Sequence, residues 1–280
     1  MTPRSWLYVP GHRHDRIGKA LDSGADAVVI DLEDAVPVTA KDRALANALD
    51  AVRTAPPGRE IWLRLNVIGS EWLDNELAAL DAAAVAPAGV RLPKADEPEA
   101  VSAAVDRLSC DVHAIIESAA GLLAAPRIAQ CHPRVTGIAL GEADLAADLR
   151  VEASGLAWAR GWIVAAARAA GLTSPVQSVW TAVDDLAGLA DTSRAGLAQG
   201  FFGRSVVHPK QIDIVHDAYT PSADAQRRAR RIVDRAAESL AAGESAVLDD
   251  DGRFIDPAVV ANARLVLDRA AATAASGVNV

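Results

Sequence analysis

Charged residues in this chain recur at the ends of apolar runs, and their types limit the chemistry they can do. The stretch AIIESAAGLLAA (114–125) suits a buried strand but is interrupted by Glu117. An unpaired buried carboxylate is costly, so Glu117 either stands at an exposed strand mouth or meets a positive partner. A second carboxylate, Asp144, ends the GEAD stretch (141–144). Two carboxylates without a His or Cys cluster favour a hard cation such as Mg²⁺, which takes one or two carboxylates and completes its shell with water and substrate oxygens. The competing reading is that each carboxylate caps the following helix or pairs with an arginine.

Arg64 sits inside the apolar run LRLN (63–66). It either balances the acidic DLED stretch (31–34), with Asp31, Glu33 and Asp34, or offers a fixed cation to a carboxylate or enolate oxygen. The chain has four lysines, and only Lys94, in LPKAD, ends a central apolar run. A Schiff-base mechanism would need such a lysine, but ion pairing with the surrounding carboxylates is the simpler role. PGHRHDRIGKA (10–20) carries Arg13, Arg16 and Lys19 near a helix start, an anion-binding composition. The histidines form no triad or zinc spacing, and His208 in VVHPKQ reads as a structural hydrogen-bonding residue.

These residues need a scaffold that brings strand ends together. Eight β-rich runs occur at 5–10, 27–33, 61–66, 89–94, 112–117, 135–141, 175–179 and 201–208. Between them, Ala, Leu and Val recur at helical spacing over 13–23, 40–54, 72–84, 97–108, 119–130, 155–170 and 184–198. Strand-helix alternation predicts parallel strands with right-handed crossovers. Eight units predict a (β/α)₈ TIM barrel, whose catalytic groups lie at the C-terminal strand ends. An open doubly wound sheet is the alternative, but no glycine-rich dinucleotide fingerprint follows the first strand. We therefore place the barrel at 1–221. Residues 222–280 form a C-terminal helical extension, with a long amphipathic helix over 222–243, a turn at DDDG and a second helix opened by Pro257.

A net charge of −9 over 280 residues argues against a general nucleic-acid partner. Cys110 and Cys131 have no metal or disulfide spacing. The first residues lack an apolar signal segment, and no run is long enough to span a membrane, so a cytoplasmic location is expected.

From SWLYVPGHRHDRIGKALDSGADAVVIDLEDAV through LRLN, LPKAD, IIESAAGL, LGEADLAADL and GFFGRSVVHPKQI to GRFIDPAVVANARLVL, the chain resembles the citrate lyase beta subunit-like proteins of the HpcH/HpaI aldolase superfamily. Malyl-CoA and citramalyl-CoA lyases are relatives. The resemblance implies a Mg²⁺-binding barrel that works as a homotrimer or hexamer. By motif, Glu117 and Asp144 fall on the metal carboxylates. Arg64 falls on the substrate-polarising arginine, with Glu117, Gly141, Glu142 and Ala143 also at the substrate. Arg13 and Lys19 fall on residues that contact coenzyme A phosphates. Asp256 falls on the general acid/base that the extension brings to a neighbouring subunit.

The implied reaction is cleavage of a 3-hydroxyacyl thioester, such as citramalyl-CoA or a citryl thioester on CoA or acyl-carrier protein. The products would be pyruvate or oxaloacetate and an acetyl thioester. Glu142 and a short loop after the sixth strand depart from the longer malyl-CoA lyases. The rivals are a thioester hydrolase, a pyruvate-type class II aldolase and a carrier-binding subunit inert on its own.

Overall fold

A computed structural model of the chain describes residues 2–242, 248–249 and 251–276. It divides into two compact units, Thr2–His216 and a C-terminal unit beginning at Asp217. In the larger unit strand and helix alternate: β1 (Ser5–Pro10), α1 (His14–Leu21), β2 (Ala27–Asp31), α2 (Lys41–Thr54), β3 (Glu60–Arg64), α3 (Glu71–Ala83), β4 (Gly89–Leu92) and α4 (Pro98–Asp106). Then follow β5 (Asp111–Ile116), α5 (Ala119–Ile128), β6 (Val135–Leu140), α6 (Glu142–Leu149), α7 (Ala157–Ala169), α8 (Leu186–Gln199) and β7 (Arg204–Val206).

All seven strands are parallel, in the order β6-β5-β4-β3-β2-β1-β7. Their residues are almost entirely buried, as expected of a sheet covered on both faces. Contacts inside the sheet show that it curls. In a flat sheet β1 and β5 would stand about 19 Å apart at the usual strand spacing. Yet the Trp6 ring lies 5.0 Å from Trp62 and 5.3 Å from His113. Arg91 of β4 likewise reaches Ser205 of β7 at 3.2 Å. The architecture is TIM-barrel-like, with aromatic rings filling the interior.

The 175–179 run occupies the eighth position without becoming a regular strand. Gln177 forms a single parallel bridge to Arg204. On the other side, the Ser178 hydroxyl donates to the Leu140 carbonyl at 2.6 Å, and no backbone ladder to β6 occurs among the described residues. Pro175 supplies no N–H there, which weakens the run as a central strand.

Glycines make room for the interior side chains. A Cβ at Gly89 would collide with Trp62, and one at Gly137 would lie 2.6 Å from the His113 ring. Buried between aromatic rings, His113 is held neutral: burial first, then Arg91, pushes its pKa down to about 3.

α9 (Ile212–Tyr219) crosses the division between the units. In the C-terminal unit α10 (Ala223–Ala242) packs on α11 (Pro257–Ser276), and Leu248 bridges Phe254 in antiparallel fashion around the acidic turn. No described helix is long and apolar enough to cross a membrane.

Candidate active site

Side chains alternate along a strand, so every second residue faces the barrel interior. The interior set runs Ala27, Val29, Asp31 on β2; Trp62, Arg64 on β3; and His113, Ile115, Glu117 along and just past β5. It therefore ends in charged groups at the C-terminal rim. A cavity of about 740 Å³ opens there, lined by Tyr8, Arg16, Asp31, Arg64, Arg91, Glu117, the 141–144 turn, Arg160, Ser178 and Ser205 among others.

Arg64 unites the two readings given above. Its Nε and Nη2 donate to the two Asp31 oxygens at 2.8 and 2.5 Å, and Nη1 lies 2.9 Å from Glu33. Burial opposes the guanidinium charge, but Asp31 outweighs it and raises the pKa. The acidic stretch thus locks a cation at the cavity wall, over the Tyr8 ring at 5.4 Å. Asp31 is itself fixed by the N–H groups of Glu33 and Ala35. Lys94 Nζ donates to Glu33 at 2.5 Å, which is the ion pair expected from sequence. Exposed Asp34 stands farther from both cations, at 3.7 and 3.9 Å.

The acidic stretch is anchored from behind. Lys41 Nζ donates to the carbonyls of Leu32 and Glu33 and to Asn66, and Asn66 donates to buried Glu76. Burial pushes the Glu76 carboxyl up to about 7, against a usual value of 4.5. A carboxyl raised in the folded state favours folding fully below 4.5, and that contribution is lost as pH rises through 7. Wild type is therefore expected to lose on the order of 3 kcal/mol from this group between pH 4.5 and 8. In urea titrations Glu76→Gln should flatten that part of the profile; an unchanged profile would refute the assignment.

Glu117 is 6% exposed. Its Oε2 accepts the Lys94 N–H at 2.9 Å, and Lys94 holds a left-handed φ of 49° in doing so. Burial pushes Glu117 up to about 7; that N–H pulls it down, while Glu33 and, less strongly, Asp144 push it up. Gly141 is required beside it, since any Cβ there would run into the Glu117 carboxyl. Glu117 caps no helix, because Ser118 does so: its hydroxyl accepts from Gly121 N and donates to Asp96. Asp148 accepts the Ala119 N–H, so the loop after Glu117 is held on both sides.

Asp144 stands exposed in the first turn of α6 and makes no ion pair among the described residues. Glu117 and Asp144 line the same cavity, and two carboxylates without a His or Cys partner fit a hard divalent cation. No group of three or more His, Cys, Asp or Glu that could hold a metal ion by itself occurs among the described residues.

The rest of the 141–144 turn is divided in role. Glu142 is paired with Arg160 at 2.5 Å, whereas Ala143 is exposed at the cavity. Arg13 folds onto Asp15 at 2.8 Å, and Lys19 is exposed on α1. Neither lines the cavity; Arg16 does. Asp256 caps α11 by accepting from Val259 N at 2.8 Å. Cys110 and Cys131 are unpaired, and burial pushes the Cys110 thiol up to about 11, which disfavours a thiolate nucleophile. Tyr8, Arg91, Arg160 and Ser205 are cavity residues that the sequence reading missed, although inward parity marks Tyr8 and Arg91 once β1 and β4 are placed.

The chain belongs to the HpcH/HpaI aldolase/citrate lyase family, whose model matches residues 4–209. It is 34% identical to the citrate lyase subunit beta of Escherichia coli K12, over 96% of this chain and 93% of that one. It is also 34% identical to a (3S)-malyl-CoA thioesterase of Cereibacter sphaeroides, over 98% and 96%. Among solved structures, the CitE protein of Mycobacterium tuberculosis in complex with magnesium, acetoacetate and coenzyme A superimposes with a TM-score of 0.80. That match is 31% identical and covers 96% of this chain and 98% of that one. The citrate lyase beta subunit of the same organism, complexed with oxaloacetate and magnesium, gives 0.68 at 31% identity, over 78% and 97%.

Proposed function

We propose that the protein is a Mg²⁺-dependent carbon-carbon lyase. It cleaves a 3-hydroxyacyl thioester whose carbinol carbon bears a carboxylate, giving a 2-keto acid and an acetyl thioester. The observation that carries this reading is Glu117, buried at the rim of the cavity that Asp144 also lines, together with a guanidinium locked there by Asp31. Glu117 and Asp144 would hold the ion, which supplies Lewis-acid stabilisation to substrate oxygens.

Arg64 orients the substrate carboxylate and stabilises charge that develops on oxygen. Asp256, from a neighbouring chain of a homotrimer or hexamer, takes the hydroxyl proton. The C–C bond then breaks, its electron pair passes into the thioester as an enolate, and protonation at carbon gives the acetyl thioester. Gly141, Glu142 and Ala143 border the substrate. Arg13, Lys19 and cavity-lining Arg16 would meet the phosphates of coenzyme A or of a carrier protein's prosthetic arm. Cytoplasmic thioester pools are the setting we assign.

Hydrolysis of the same thioester is the second reading, favoured by the equal identity to a malyl-CoA thioesterase. Citryl-, citramalyl-, malyl- and 3-hydroxy-3-methylglutaryl-CoA, each tested with Mg²⁺ and with EDTA, separate the two. Keto acid and acetyl-CoA appearing together, only with the metal, is the expected result. Free CoA without keto acid would establish hydrolysis instead.

A further inference from the structure

Arg91 is a buried cation that nothing in the proposed reaction uses. It lies on β4 in register with Arg64, and it is 2% exposed. Its Nη1 donates to the Tyr8 hydroxyl at 2.7 Å and to Ser205 Oγ at 3.2 Å, and its Nε has no partner. Its guanidinium stacks near Trp6 and Tyr8 at 5.1 and 5.7 Å. No carboxylate pairs with it among the described residues, whereas Arg64 has Asp31 and Glu33 and Arg160 has Glu142. His113, its other interior neighbour, is neutral and offers no negative charge.

An uncompensated guanidinium in the interior is costly unless a ligand completes it. Here the cation faces the same cavity as Glu117 and Asp31. The Tyr8 ring lies beside both guanidiniums, and its hydroxyl, accepting from Arg91, keeps its own proton to donate. Of the arginines that line this cavity, Arg64 and Arg160 are each balanced by a carboxylate and Arg91 is not, which matches a substrate that brings a second carboxylate. The first would belong at the carboxylate pair and Arg64, and the second at Arg91, Tyr8 and Ser205.

We infer that Arg91 is a specificity-determining residue that binds a second substrate carboxylate, so the 2-keto acid released is a dicarboxylate such as oxaloacetate rather than pyruvate. This rests on the lyase reading above. A monocarboxylate would leave Arg91 without a counter-charge.

Calorimetric titration of the full-length, Mg²⁺-loaded protein tests this. The probes are oxaloacetate against pyruvate, and malate against lactate, the second pair carrying the same carboxylate-and-oxygen chelate without decarboxylating. The dicarboxylate of each pair is expected to bind at least tenfold more tightly. Arg91→Met should erase that preference and leave the monocarboxylate within twofold. Should Arg91→Met fail to fold by circular dichroism, Arg91→Gln, which can still donate to Tyr8 and Ser205 but carries no charge, serves the same end. Equal wild-type affinity within each pair would overturn the inference and leave the lyase reading standing. Equal weakening of both ligands in the variant would also overturn it, by marking Arg91 as structural. Binding of neither keto acid nor hydroxy acid would overturn both.

Discussion

Glu117→Gln is expected to lower Mg²⁺-dependent cleavage by at least about a hundredfold, and at the same time to make the metal-free protein more stable at pH 8. The two effects share a cause. Burial lifts this carboxyl to about 7, so at pH 8 the folded chain holds a charge it would prefer to lose. The group favours folding below its ordinary 4.5 and ceases to do so as pH rises through 7, a difference on the order of 3 kcal/mol. A neutral isostere removes that cost and still accepts the Lys94 N–H. It also removes the charge that a divalent ion needs. Initial rates with Mg²⁺ and urea midpoints in EDTA at pH 8 are the measurements. Full activity in the variant would end the metal assignment. Lost activity with a lowered midpoint would mean that the side chain only supports the fold.

Arg64→Ala should act in the opposite sense on stability. It leaves Asp31 and Glu33 buried without their direct guanidinium partner, with Lys94 on Glu33 and Lys41 behind the stretch as the remaining cations, and breaking a buried pair of this kind costs about 3–5 kcal/mol. Cleavage should also fall by on the order of 10²–10³ through loss of the cation at the cavity wall. The double variant Arg64→Ala, Asp31→Asn separates these contributions. It removes part of the stranded charge, so the urea midpoint should recover partially while the rate does not. Recovery of the rate would show that Arg64 acts only by neutralising Asp31. Arg64→Lys keeps the charge but not the two parallel hydrogen bonds, and should fall between the extremes.

The residues at issue in both experiments stood out in the sequence because a charge at the end of an apolar run is anomalous anywhere. Strand and helix periodicity then placed β1 to β6 and the helices between them closely, since each segment buries a face of its own. The eighth run was less legible: 175–179 has strand-like composition but makes one bridge, because Pro175 and the neighbouring backbone decide its pairing. α6 went unread as a helix, being eight residues long and beginning within the GEAD stretch itself. Arg91 and Tyr8 were missed for another reason. An arginine inside GVRLPK looks like a strand residue; strand parity gives the face it takes, and the curl of the sheet shows that this face is a cavity wall where Arg91 has no acid beside it among the described residues. Choosing among Arg13, Arg16 and Lys19 likewise depends on how α1 lies on the barrel, which no local spacing specifies.

The joint between β6 and the 175–179 run gives the ring a preferred place to breathe. The seven named strands are fastened to one another by backbone ladders, and the 175–179 run meets β7 through the Gln177–Arg204 bridge; here the Ser178 hydroxyl on the Leu140 carbonyl is a side-chain latch. The cavity is bordered by both sides of that joint, Leu140 and Gly141 on one and Gln177 and Ser178 on the other. A ligand that touches both sides therefore works as a clasp, tightening the barrel at its loosest seam. Affinity and rigidity would then rise together, and amide exchange along the seam would slow as the site fills.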